Sequence, residues 1–180
     1  LKGTIEIPPS KSYSHRAVIG ASLATSEKKS KISNLKFSMD IKATMEIMEN
    51  WGAKIIKGEN SLEIIGNSGK IIPKDKYTKC SESGSTIRFL IPVGLTSKNE
   101  LVFDGKGKLV DRPLDSYYKI FEKQGLFCET TDGKLPLTVN GELKPGIYEI
   151  DGNISSQFIT GLLYALALLN GDSKLIINKN

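Results

Sequence analysis

Three stretches of the chain begin alike: "SYSHRAVIGASLA" at Ser12, "SGSTIRFLIPVGL" at Ser83 and "SSQFITGLLYALA" at Ser155. Their starts stand 71 and 72 residues apart in a chain of 180 residues. A repeat of that period restricts the fold more than any local pattern does, because each copy is a supersecondary unit that must bury its apolar face against its neighbours. Each copy opens on serines, reaches an Arg or Gln within a few residues and then turns strongly apolar. That is the pattern of a serine-capped helix that is buried on most sides.

The segments after these helices repeat as well. Strands are expected at Lys31 to Leu35, Glu100 to Phe103 and Lys174 to Ile177. The first two units continue with an amphipathic helix. In unit one Ile41, Met45, Met48 and Trp51 share a face, with Asp40 as N-cap and Gly52 just past the end. In unit two Pro113 takes the first helical position and Leu114, Tyr117 and Phe121 form the face, which ends before Gly125. Short strands come next at Ala53 to Ile56, Leu62 to Ile65 and Lys70 to Ile72, and at Leu126 to Glu129, Leu137 to Val139 and Ile147 to Ile150. The mixture of crossover helices and hairpins predicts an α/β fold with a partly parallel sheet in each unit. Units are expected at about 9–75 and 76–150, with an incomplete third from 151, as in a piece of something longer. Leu1 to Ile7 reads as a further strand, with Ile5 and Ile7 on one face, rather than as a signal segment.

Composition narrows the function. The chain is 39% hydrophobic and 25% charged, enough to build a core without disulfide or metal staples. Its longest apolar run, Gly161 to Leu169, is too short to span a bilayer. One histidine and two cysteines, Cys80 and Cys128, lack metal-ligand or redox spacing, so two thiols in a reducing cytoplasm are expected and no metal. The net charge of +5 favours anionic partners, yet basic residues are not interleaved with aromatics as in nucleic-acid binding. A small phosphorylated ligand fits that charge.

The helix starts suggest where such a ligand sits. The first turn of a helix presents unpaired N–H groups and roughly half a positive charge. Lys11 and Arg16 add cations at the first start, unfavourable for the helix unless an anion is present. Gly84 removes a Cβ where a ligand can approach the backbone. Ser155, Ser156 and Gln157 offer neutral donors. Arg112, on the loop entering the second helix of unit two, is placed to clamp a carboxylate or phosphate, the alternative being a surface pair with Asp111 or Asp115. Arg88, a turn inside its helix, is expected to pair with Glu82 or another acid, and His15 is given no catalytic role.

Four stretches, "PPSKSYSHRA", "SESGSTIRFL", "DRPLDSYYKIFEKQG" and "DGNISSQFITGLL", together resemble the signature segments of the 5-enolpyruvylshikimate-3-phosphate synthase family, in order and across essentially the whole chain. The resemblance implies a two-lobed enzyme, each lobe an inside-out α/β barrel of three βαβαββ units, with the active site between lobes. Residues 9–180 would form most of the first lobe, and residues 1–8 a strand of the other. The implied reaction transfers the enolpyruvyl group of phosphoenolpyruvate to the 5-hydroxyl of shikimate 3-phosphate and needs no metal or organic cofactor. Carried over by position, Lys11 would be catalytic and touch both substrates. Ser12, Arg16, Ser155, Ser156 and Gln157 would hold shikimate 3-phosphate. Gly84, Arg112 and Gln157 would hold phosphoenolpyruvate, and Asp40 would support Lys11.

The resemblance further implies a cytoplasmic monomer that binds neither nucleic acid nor membrane. Its remaining catalytic groups come from the C-terminal lobe, without which this chain would not turn over. Where many members read Asn-Ala-Gly-Thr, this chain reads Glu82-Ser83-Gly84-Ser85, which leaves Glu82 without an assigned ligand role. Two alternatives remain. One is a UDP-N-acetylglucosamine enolpyruvyl transferase, whose reactive cysteine before an Arg-Pro pair has no counterpart in "GKGKLVD" before Arg112-Pro113. The other is a basic RNA-binding α/β module.

Overall fold

The computed structural model describes residues 2–5 and 7–178. The first unit runs α1 (Lys11–Leu23), β1 (Lys29–Ile32), α2 (Met39–Asn50), β2 (Lys54–Lys57), β3 (Leu62–Ile65) and β4 (Tyr77–Lys79). The second runs α3 (Gly84–Gly94), β5 (Leu101–Asp104), α4 (Asp115–Gln124), β6 (Phe127–Thr131), β7 (Lys134–Asn140) and β8 (Ile147–Asp151). Then α5 (Ser156–Leu166) and β9 (Lys174–Asn178) open a third. The order of elements is the one the repeat predicts, and the fold is α/β.

With the first unit taken through Lys79, past its expected end near 75, the pairing differs from one mixed sheet in each unit. The first sheet, in the order β1-β3-β2, is wholly antiparallel. The parallel pairs lie between units: β4 pairs with β5, and β8 with β9. The last strand of each unit therefore leaves its own sheet and joins the first strand of the next. Parallel neighbours require a crossover, and α3 and α5 are those crossovers. Both helices consequently start beyond the carboxyl ends of the strands before them, where the site lies.

Three boundaries move, each for a local reason. The third strand of unit one is Tyr77–Lys79, not Lys70 to Ile72. Ile71 is buried there as a strand residue would be, but Pro73 ends the segment before a ladder can form. The N-cap of α2 is Ser38, not Asp40: the Ser38 hydroxyl accepts from the Ile41 N–H at 3.3 Å. Asp40 sits in the first turn, favourable for the helix dipole, with its carboxylate free to reach elsewhere. Helix α4 begins at Asp115, two residues after Pro113, with buried Leu114 at the boundary. The strand expected over residues 1–7 is absent from the described part, where Ile5 and Ile7 are exposed; Leu1 and Glu6 lie outside the described residues.

The core centres on α3, nine of whose eleven residues are buried. Phe89 and Phe103 pack there with Trp51 from the end of α2, and Phe158 packs edge-on against Tyr117. Helix α5 lies along α3, brought close by Gly161, whose Cα faces the Arg88 carbonyl, the Tyr117 hydroxyl and Pro92. Tyr117 seals that contact by donating to the carbonyls of both Arg88 and Phe158. No helix among the described residues is long and apolar enough to cross a membrane. Cys80 and Cys128 are both free thiols, pushed up in pKa by burial.

Candidate functional site

Each of the three helix starts is closed by a serine. Ser10 Oγ accepts from the Tyr13 N–H at 3.4 Å, Ser83 Oγ from the Thr86 N–H at 3.2 Å, and Ser155 Oγ from the Gln157 N–H at 3.3 Å. The structural register of the repeat is thus Ser10, Ser83, Ser155, and Ser12 belongs to the first turn of α1 rather than to the cap position. In this register Lys11, Gly84 and Ser156 are equivalent, followed by Ser12, Ser85 and Gln157.

Side-chain bonds join these starts into one surface. Arg16 donates through Nη1 to Ser12 Oγ at 2.6 Å and through Nη2 to Thr160 Oγ1 at 3.0 Å, bridging α1 and α5. Tyr164 returns the link by donating to the Arg16 carbonyl at 2.9 Å. Between α3 and α5, Arg88 Nη1 donates to Gln157 Oε1 at 2.9 Å, and Gln157 Nε2 donates to Ser85 Oγ at 2.8 Å. Lys11 Nζ meets Asp40 Oδ2 at 2.6 Å, which ties α1 to α2. Arg112 reaches in from the loop before α4: a Cβ at Gly84 would stand 2.8 Å from its Nη1 and 3.4 Å from Arg88 Nη1. All the residues singled out in the sequence, Lys11, Ser12, Arg16, Asp40, Gly84, Arg112, Ser155, Ser156 and Gln157, thus lie at or beside these three starts.

Their electrostatics favour an anion. Among the described residues Arg16, Arg88 and Arg112 have no carboxylate within ion-pair distance; the acid beside Arg112 in sequence, Asp111, pairs instead with Lys134 at 2.7 Å. Glu82 is exposed and lies against Gly107, so the expected Arg88–Glu82 pair does not form. Burial, and then the neighbouring Arg112 charge, lower the pKa of Arg88, the response of a cation crowded by another. Three guanidinium groups at three helix N-termini, with a glycine between two of them, make a surface that an oxyanion stabilises.

Sequence reasoning gave no site role to Arg88, Thr160 or the pair Thr44 and Thr86. Arg88 and Thr160 had a signal, since both stand five residues after their capping serine, as His15 does in α1. Thr44 and Thr86 are buried and bonded to each other at 2.8 Å across helices, a contact with no sequence signature.

His15 is fully buried, and desolvation lowers its pKa to about 4; the Asp40 charge opposes the shift, and Lys11 and Arg16 add to it. The folded chain therefore holds a neutral ring while the unfolded chain takes up a proton near pH 6.5. Stability from this group is complete above pH 6.5 and falls by up to ~1.4 kcal/mol per unit as pH drops toward 4. Between pH 7 and pH 5 the loss should be about 2 kcal/mol in urea unfolding. His15→Asn should lack that component; an unchanged pH dependence in the variant would show that His15 does not supply it.

The chain spans about two fifths of the length of the curated relatives it matches. It is 53% identical over 177 residues to a 3-phosphoshikimate 1-carboxyvinyltransferase of Clostridium kluyveri, covering 98% of this chain and 41% of the relative. It is 50% identical over 185 residues to the protein of the same name from Clostridium acetobutylicum, covering 100% of this chain and 42% of the relative. The solved EPSP synthase of Acinetobacter baumannii shares the fold, with a TM-score of 0.85 at 23% identity, over 99% of this chain and 41% of that one. The family model for EPSP synthase (3-phosphoshikimate 1-carboxyvinyltransferase) matches residues 1–179. With nearly every residue inside that match, the chain belongs to the EPSP synthase family.

Proposed function

We propose that the full-length protein transfers the enolpyruvyl group of phosphoenolpyruvate to the 5-hydroxyl of shikimate 3-phosphate, releasing phosphate, and that this chain carries the half that binds shikimate 3-phosphate. The observation that carries the reading is the junction of three serine-capped helix starts by Arg16, Arg88 and Gln157, with Arg112 over Gly84. Two anionic substrates need such a surface, since positioning and charge stabilisation are most of what the protein contributes.

In this reading Ser12, Arg16, Ser155, Ser156 and Gln157 hold shikimate 3-phosphate, the serines on its phosphate. Arg112, Gly84 and Gln157 hold phosphoenolpyruvate beside it. The enol methylene takes a proton, the 5-hydroxyl adds to C2 and loses its own, and the tetrahedral intermediate expels phosphate as a methyl proton leaves. Lys11, with Nζ held by Asp40, touches both substrates and assists proton transfer at the hydroxyl and the bridging oxygen. The second lobe, supplied by the rest of the protein, brings the remaining groups. The protein works without a cofactor, as a cytoplasmic monomer that binds neither nucleic acid nor membrane.

Coupled phosphate release from the full-length protein, with the two substrates together and each alone, tests the reaction. Release only with both supports it, and no release with both overturns it. This chain alone should be inactive. Within the site, Gly84→Ala should be tolerated by the fold, because the nearest obstacle is the mobile end of Arg112. Displacing that guanidinium should raise KM for phosphoenolpyruvate about tenfold, and more than KM for shikimate 3-phosphate. The opposite ordering would place Gly84 against the other substrate.

A further inference from the structure

His15 has no part in the proposed transfer, yet it is the one histidine of the chain and it is wholly buried at the first helix start. Its Nδ1 lies 2.9 Å from Thr44 Oγ1 on α2, and its Nε2 is buried without a partner, beside the edge-on ring of Phe89. Thr44 Oγ1 lies 2.8 Å from Thr86 Oγ1 on α3, and Thr86 Oγ1 lies 2.7 Å from Ser83 Oγ, the cap of α3. All four residues are buried. Both threonine hydroxyls also lie near the main-chain carbonyl of Asp40, at 3.2 and 3.4 Å, and the carboxylate of Asp40 holds Lys11.

Counting protons fixes the His15 tautomer. Each hydroxyl has one hydrogen to give. A proton on Nε2 would be a buried donor with no acceptor, and Thr44 would then have to give its only hydrogen to Nδ1. A proton on Nδ1 leaves only a bare lone pair at Nε2: His15 donates to Thr44, and the hydrogens of Thr44, Thr86 and Ser83 find acceptors among one another and at the Asp40 carbonyl. Ser83 Oγ also accepts from the Thr86 N–H, which ties the cluster to the cap of α3.

We infer that His15 is a positioning residue: its Nδ1–H heads a buried cluster of hydroxyls, Thr44, Thr86 and Ser83, that locks the start of α3 to α1 and α2 and so holds Gly84 where phosphoenolpyruvate is proposed to bind. The substrate in this inference rests on the proposed function; the His15 tautomer does not. Breaking the cluster frees the start of α3 to shift, and a small misplacement of binding groups weakens the bound geometry by about ten- to a hundredfold. The effect falls on one substrate, because the residues assigned to shikimate 3-phosphate stand on α1 and α5.

Two measurements on the full-length enzyme decide it. Imidazole 15N NMR at pH 7, with the His15 signal assigned by its loss in His15→Asn, should find the proton on Nδ1; a proton on Nε2 overturns the inference whatever the enzyme catalyses. Kinetically, Thr86→Val cuts the cluster in its middle and should raise KM for phosphoenolpyruvate about tenfold, leaving KM for shikimate 3-phosphate within about twofold. His15→Leu should do the same, and His15→Asn, whose amide can donate where Nδ1 does, should restore most of the loss. An unchanged KM in Thr86→Val, an equal rise for both substrates, or no advantage of asparagine over leucine overturns it. If the parent protein releases no phosphate from the two substrates, the proposed function falls while the NMR result still decides the His15 tautomer.

Discussion

Lys11→Met in the full-length enzyme should lower kcat by about a thousandfold or more while leaving the circular dichroism and the unfolding midpoint close to those of the parent. The reasoning starts from the helix. Lys11 is the first residue of α1, where a cation opposes the helix dipole and no acidic residue stands in the turn to offset it. Its ion pair with Asp40 does little for the fold, since the lysine side chain is 59% exposed and such pairs contribute about 1 kcal/mol or less. A charge held at a place that the fold does not favour, by a bond that adds little stability, calls for a partner outside the fold, which the proposed function supplies as two anionic substrates. Methionine keeps the length and the apolar stem and removes only the ammonium. Removing one preorganised charge from a site of this kind lowers kcat by about a hundred- to a thousandfold, and loss of its share in proton transfer adds to that. Asp40→Asn should fall between parent and Lys11→Met, because the ammonium survives without its holder. Activity within about tenfold of the parent in Lys11→Met would remove the residue from the mechanism.

The repeat made the fold legible because it is written in features the backbone obeys directly: serine caps, apolar helices and short β-rich runs. Leu62 to Ile65 is found where the alternation places it, and most other strands move by a residue or two. What stayed hidden is pairing between units. Nothing in Tyr77–Lys79 or Ile147–Asp151 says that each joins the sheet of the following unit, since a strand's neighbours depend on how whole units stack. The cap of α2 was misplaced because Ser38 and Asp40 are both good caps and two residues apart. Lys11, Arg16, Gly84 and Arg112, whose chemistry is visible one residue at a time, do stand at or beside the helix starts. Arg88 was given an acidic partner because charge in sequence suggests pairing, whereas its actual partners are the Gln157 amide and the face of Phe158, 4.9 Å from its guanidinium carbon. The hydroxyl chain from His15 was invisible, as Thr44 and Thr86 meet only after α2 and α3 pack.

The spacing of α3 and α5 is the other point on which the site depends, and Gly161→Ala should disrupt it. Alanine is the better helix former by about 1 kcal/mol, so in an unobstructed helix this exchange would stabilise. Here the added methyl would run into the Arg88 carbonyl, stand 2.5 Å from the Tyr117 hydroxyl and press on Pro92 at 3.0 Å. A backbone carbonyl and a buried tyrosine that donates to two carbonyls have little room to yield. Overpacking of this sort costs about 1–3 kcal/mol, and weakening the Tyr117 bonds adds about 1 kcal/mol more. The net change should be a loss of about 2 kcal/mol. As α5 is pushed outward it carries Ser155, Ser156 and Gln157 with it, so KM for shikimate 3-phosphate should rise about tenfold or more. Gly20 is the control within the same molecule: it is an exposed glycine inside α1, and a Cβ there would find its nearest neighbour, a ring carbon of Tyr164, at 3.9 Å. Gly20→Ala should raise the unfolding midpoint of the full-length protein and leave both KM values alone. Alanine shifting the midpoint the same way at both positions would mean that the approach of α5 to α3 is not limited at Gly161.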